Sequence, residues 1–236
     1  MCTVTLCSLN QGFVLTSNRD EAVARETLSP RVYSEAGVKL VYPRDLEAGG
    51  TWIGLSEQKR AICLLNGGFE PHVRKPPYRK SRGLVVKDLL KTENVTQEVA
   101  SYNFSGIEPF TCVIADYHRD DGFFELVWDG KQPYFRSLDP GSYIWSSSLL
   151  YSETVRRDRE ERFSKFKTSR ELNAETLLEF HASRGSEENG GLIINRGFLK
   201  TCSITQVLKH ESQVRMSYQN LLEEEEPQLL KFSLRP

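Results

Sequence analysis

Cys2 stands directly behind the initiator methionine. Removal of Met1 would leave one residue carrying both a thiol and a free α-amine. A thiol titrates near about 8.5 and an α-amine near about 7.7–8.0, so both lie close to their midpoints at neutral pH. The amine can then take the thiol proton and later return it to a leaving amine, which is acyl-transfer chemistry with the base built into the nucleophile. Asn18-Arg19-Asp20-Glu21 follows a short apolar run. Arg19 would favour thiolate over thiol. Asp20 would accept from the α-amine and orient it, as a third group orients the base in other triads. Asn66 ends the apolar run Ala61–Leu65 and offers a side-chain amide that can donate to an oxyanion. Each piece also has an ordinary reading. Cys2 can simply begin a strand, and both Asn18–Glu21 and Asn66-Gly67 can be turns.

These groups must be brought together by the elements around them. Thr3–Leu9 and Phe13–Ser17 read as two short strands joined by the turn residues Asn10-Gln11-Gly12, a hairpin. A loop is expected next, followed by strands at Val38–Val41, Thr51–Leu55 and Ala61–Leu65. Pro71–Arg82 is expected to be a Pro-rich loop whose basic residues Arg74, Lys75, Arg79, Lys80 and Arg82 are solvated. Helix starts near Ser81, with Leu84, Val85, Leu89 and Leu90 on one face, and resumes over Thr96–Tyr102. Phe110–Tyr117, Phe123–Trp128, Tyr134–Ser137 and Ser142–Ser146 read as a meander with turns at Asp120-Asp121-Gly122 and Asp129-Gly130. Glu153–Phe166 reads as a charged helix, and Asn173 as the N-cap of a helix over Ala174–Ala182. Strands at Thr201–Leu208 and Val214–Ser217 close the pattern, before a solvated acidic run at Glu223–Glu226. Grouped hairpins with helices between them predict antiparallel sheets flanked by helices rather than a βαβ sheet. No linker divides the 236 residues, so a single domain over 1–236 is expected.

Composition removes several function classes. A net charge of −1 gives no general attraction to nucleic acid or anionic membranes. No stretch approaches the roughly 20 apolar residues of a membrane span, and Met1–Leu6 has neither a basic n-region nor an apolar h-region. A cytoplasmic protein is expected. Cys7, Cys63, Cys112 and Cys202 lie in apolar or strand-like runs without CxxC spacing and read as small buried hydrophobes. His72, His118, His181 and His210 are scattered without metal-ligand spacing, so no metal and no cofactor is expected. The partner expected is a small-molecule substrate.

Four motifs together resemble the NRDE family. They are Met1-Cys2-Thr3, Thr16–Glu21 with Arg25, Tyr42-Pro43-Arg44-Asp45, and Ala48–Gly54 around Trp52. The match is dense over residues 1–68. Eukaryotic members of the family are named for transport and Golgi organisation, and the family is similar to N-terminal-nucleophile hydrolases of the penicillin V acylase and bile salt hydrolase type. The resemblance implies an α+β fold, an αββα sandwich of two antiparallel sheets between helical layers. It also implies cleavage of non-peptide C–N amide bonds through a thioester on Cys2. Arg19 and Asp20 would then lie beside the nucleophile, with Asn66 in the oxyanion hole and Asn18, Arg25 and Trp52 nearby. Where the acylases carry a second asparagine this chain has Ser146-Ser147-Ser148, and where they use a late arginine it has Lys200. Ser147 can still donate a hydrogen bond, whereas a lysine does not reproduce arginine's bidentate fork. The alternative implied by the resemblance is a non-catalytic protein that binds or hands over haem or a lipid-like compound.

Overall fold

The computed structural model describes residues 2–118, 122–185, 191–223 and 226–232, with Cys2 by its backbone alone. The expected turn at Asp120-Asp121 and the middle of the acidic run Glu223–Glu226 lie outside the described residues. The chain forms two compact units, one from Met1–Arg25 with Pro140–Phe232, the other built on Glu26–Asp139.

The first unit begins with the expected hairpin. Strand β1 (Cys2–Leu9) and strand β2 (Gly12–Ala22) pair antiparallel from Leu9↔Gly12 to Cys2↔Arg19. Gly12 is needed at the turn, because a Cβ there would fall 2.1 Å from the Lys209 carbonyl oxygen. Strand β2 runs through the whole of Asn18–Glu21, so these residues lie in a strand rather than in a turn.

The second unit holds a meander of seven strands in chain order. These are β3 (Thr27–Glu35), β4 (Val38–Asp45), β5 (Ile53–Ser56), β6 (Arg60–Asn66), β7 (Phe110–Asp116), β8 (Gly122–Trp128) and β9 (Pro133–Leu138). Helix α1 (Arg82–Lys91) buries Val85, Val86, Leu89 and Leu90 against Leu40, Tyr42, Ile62 and Leu64 of this sheet, and α2 (Val95–Ser101) adds Val95 and Val99. The Gly49-Gly50 motif has a packing cause. A Cβ on Gly50 would fall 2.5 Å from the Gly83 carbonyl carbon, so the chain can pass the start of α1 only as glycine. The basic loop is less solvated than its sequence suggests. Arg74 and Arg82 pair with the buried Glu108, Lys80 pairs with Asp88, and Arg79 donates to the carbonyls of Asn103 and Ser105.

Strand β10 (Ser142–Ser146) is not the end of the meander. It pairs with β1, from Cys7↔Ser142 to Thr3↔Ser146, and so belongs to the first unit. Helices α3 (Glu153–Ser169) and α4 (Ala174–His181) follow, the latter capped by Asn173 in a reciprocal box with Thr176. The two-residue strand β11 (Asn195–Arg196), β12 (Leu199–His210), β13 (Gln213–Asn220) and β14 (Gln228–Phe232) complete the unit. Its sheet order is β10-β1-β2-β12-β13-β14, with β11 beside β12. Phe163 of α3 and Leu177 and Phe180 of α4 pack with Cys7 and Val14, so both helices cover one face of this sheet. Cys7, Cys63, Cys112 and Cys202 are all buried.

Candidate active site

Strand alternation sorts the proposed residues between two faces. Directly opposed residues of an antiparallel pair share a face. Asn18 and Asp20 therefore lie with Thr3, Thr5, Val14 and Thr16 on the helix-covered face, while Arg19 and Glu21 lie on the other, with position 2.

The polar groups of the helix-covered face are bonded to one another. Asp20 accepts from Thr201 Oγ1 at 2.6 Å through one oxygen and from Tyr151 Oη at 2.6 Å through the other. Burial pushes its carboxyl above the usual range, opposed by those two hydroxyls and by Arg159. The Arg159 guanidinium lies 3.7 Å from the Tyr151 ring centroid and donates to Thr3 Oγ1, which ties α3 to the residue following Cys2. Asn18 donates to the carbonyls of His181 and Leu192 at 3.0 and 3.2 Å, which leaves its oxygen to meet His181 Nδ1 at 2.7 Å. Burial, with Arg159 in second place, pushes His181 down to about 3, so the ring is neutral at ordinary pH. Its Nδ1–H therefore donates to Asn18, and Nε2 accepts from Thr5 Oγ1 at 2.8 Å. Asn18 is thus a tie between β2 and α4. Gln206 donates to Thr16 and to the Ala174 carbonyl at the head of α4.

The opposite face carries position 2, Arg19 and Glu21. Position 2 pairs with Arg19, and Arg19 pairs with Ser203 on β12. Thr201 opposes Asp20, so Cys202 is the extra residue of a β-bulge. The bulge re-aims the strand: Lys200, opposite Glu21, and Ser203, opposite Arg19, both reach this face. Arg19 is 3% exposed, whereas Glu21 and Lys200 are half-buried. Burial pushes Glu21 up, but the chain's terminal amine, the Ala22 N–H, Arg19 and Arg25 together more than offset it and hold the carboxyl below its usual value. Deeper on the same face, the buried hydroxyls of Ser17, Ser203 and Thr205 make no hydrogen bond among the described residues.

Of the sequence-predicted residues, the first unit thus brings Cys2, Arg19 and Lys200 to one face and places Asn18 and Asp20 on the other. Arg25 follows the end of β2 and closes a turn onto the Ala22 carbonyl. Ser147 is buried just past β10, where its carbonyl accepts from Leu150 and Tyr151. Asn66 and Trp52 belong to the second unit. Asn66 is the half-buried last residue of β6, and Trp52 is buried just before β5. Sequence reasoning gave no role to Glu21, Tyr151, Arg159, His181 or Thr201. Period-2 alternation along β2 could have found Glu21; the others depend on long-range pairing.

The likeness to solved structures shows the fold class of N-terminal-nucleophile hydrolases, an α+β arrangement with two antiparallel sheets. The Caenorhabditis elegans orthologue of N-acylethanolamine-hydrolysing acid amidase superposes with a TM-score of 0.61 at 10% identity, covering 87% of this chain and 92% of that one. A mutant conjugated bile acid hydrolase from Clostridium perfringens gives 0.55 at 7% identity over 98% and 92%. Penicillin V acylase from Agrobacterium tumefaciens gives 0.52 at 11% over 99% and 86%. The chain belongs to the Transport and Golgi organisation 2 family, whose model matches residues 1–230. Transport and Golgi organization protein 2 of Drosophila melanogaster is 31% identical over 117 residues, a match that takes in 44% of this chain and 39% of the fly protein. Among the described residues no helix is long and apolar enough to cross a membrane.

Proposed function

We propose that the protein is an N-terminal-cysteine amidohydrolase acting on a small acylated amine. The observation that carries this reading is the register of β1 and β2, which sets position 2 directly opposite the buried Arg19 at the end of a strand. The fold, shared with amide hydrolases, supports it.

In the proposed reaction the α-amine of Cys2 takes the thiol proton. The thiolate attacks the carbonyl carbon and forms a tetrahedral oxyanion. The C–N bond then breaks, the leaving nitrogen takes the proton from the α-ammonium, and an acyl thioester stays on Cys2. Water, deprotonated by the same amine, attacks the thioester and releases a carboxylic acid with the thiol restored. Arg19 favours the thiolate, and Asp20 holds the strand end through Tyr151 and Thr201. The proposal takes the chain as one functional domain acting in the cytoplasm. Its support is that the chain leaves the first unit at Arg25 and returns to it at Pro140.

The test is a panel of N-acyl amines incubated with the wild type and with Cys2→Ala. The reading requires released amine and a transient acyl adduct on the amino-terminal peptide of the wild type alone. Equal turnover by Cys2→Ala on any substrate ends it.

A further inference from the structure

The base in the proposed reaction is a backbone nitrogen, so strand alternation confines it to neither face. The residue after it is Thr3, on the helix-covered face of β1. Thr3 is fully buried, and its Oγ1 accepts from the Arg159 guanidinium of α3. A permanent positive charge is thereby fixed one residue from the start of the strand. Arg159 is itself 2% exposed and is held from a second direction by the Tyr151 ring, whose centroid lies 3.7 Å from the guanidinium carbon. The groups packed around it leave that charge largely uncancelled. Burial, then the Asp20 carboxyl, push Tyr151 well above its usual range, so the phenol is neutral and donates to Asp20. His181 is neutral as well. Asp20 has both oxygens engaged by the hydroxyls of Thr201 and Tyr151, and burial weakens its hold on a negative charge.

We propose, resting on the amidohydrolase reading above, that Arg159 is a positioning residue for the base of that reaction: its charge, delivered at Thr3, holds the α-amine of Cys2 in the unprotonated form that can take the thiol proton. A cation beside an amine disfavours the ammonium, and beside a thiol it favours the thiolate. Both effects act in the direction the reaction needs. Around the start of β1 the titratable and charged groups of the first unit are Asp20, Arg19 and Glu21 from β2, Lys200 from β12, Arg156 and Arg159 from α3 with Tyr151 just before it, His181 from α4 and Tyr143 from β10, with Arg25 beyond the end of β2. Among them the cations outnumber the carboxylates, and Arg159 is the one bonded to the residue that follows the amine. A unit charge several ångströms from a partly solvated group moves its titration by about one unit.

The probe is cyanate, which carbamoylates an unprotonated α-amine. Cys2→Ala removes the thiol and keeps the amine, so it isolates the titration of the base. Labelling is followed against pH by mass of the amino-terminal peptide, in Cys2→Ala alone and in Cys2→Ala combined with Arg159→Met or with Arg159→Lys. The midpoint of the rate–pH profile in folded Cys2→Ala is expected below that of the same chain unfolded in urea. Arg159→Met is expected to raise the folded midpoint by about half a unit to one unit. Arg159→Lys keeps the charge without the planar fork and is expected to stay within about 0.3 unit of the parent. Loss of packing alone would lower the stability of both variants and move neither midpoint. An unmoved midpoint in Arg159→Met, or an equal rise in Arg159→Lys, would overturn the assignment while leaving the hydrolase reading in place. If Arg159→Met does not fold, a Cys2→Ala midpoint at or above that of the urea-unfolded chain overturns it by itself. Wild-type chains that retain Met1 would overturn both.

Discussion

The neutral His181 makes the strand that carries Arg19 sensitive to acid in a calculable way. The folded-state value of about 3 lies below the ordinary 6.5. Below pH 6.5 the unfolded chain takes up a proton that the folded chain refuses, so stability falls as pH falls and stops falling only near the folded value. For a single group with these values the loss between pH 7 and pH 5 is about 2 kcal/mol, approaching about 1.4 kcal/mol for each further unit. Other groups titrate in the same window, so the comparison is between wild type and His181→Gln. The substitution removes bonds to Thr5 and Asn18, and leaving buried partners unsatisfied costs about 1–3 kcal/mol each. Its stability at pH 7 should fall by that order, while its dependence on pH between 7 and 5 should be shallower by about 2 kcal/mol. Urea unfolding at pH 7, 6 and 5 for both proteins measures the difference. Equal slopes would refute the argument that a neutral imidazole donates to Asn18 and accepts from Thr5.

Two further outcomes follow from the two faces of the first sheet. Arg159→Met should cost about 1–3 kcal/mol of unfolding free energy, because the buried Thr3 hydroxyl loses its charged donor and the Tyr151 ring its cation; an unchanged urea midpoint would count against that network. Thr205→Val removes a buried hydroxyl that has no partner and keeps the shape, so stability should be unchanged or higher; a loss above about 1 kcal/mol would mean that the hydroxyl is bonded.

The hairpin of β1 and β2 was legible because local turn chemistry and apolar pattern agree, and the same holds for the cap at Asn173. Strand β3 reads as a loop from sequence for a physical reason. It is an edge strand that contains Pro30 and alternates weakly, with Pro30 inside the register shift between Leu28 and Arg31; prolines are tolerated in such places. Ser142–Ser146 reads as the end of the preceding meander because consecutive strands usually pair, whereas its partner is β1, far away in sequence. Within the site, Arg19 was readable from type and position. The face of Asp20 was not, because it depends on β2 continuing straight through Asn18–Glu21, a stretch that also reads as a turn. His181 is in sequence one of four scattered histidines, and nothing local marks its partners Thr5 and Asn18.

The central claim is that Cys2 is both amino terminus and nucleophile. It is tested most directly by treating the purified protein with p-nitrophenyl acetate, quenching in acid and weighing the amino-terminal peptide. The account predicts a peptide that begins at Cys2 and carries one acetyl group, absent from Cys2→Ala. A peptide that retains Met1, or one that begins at Cys2 and never carries the acetyl group, would contradict it.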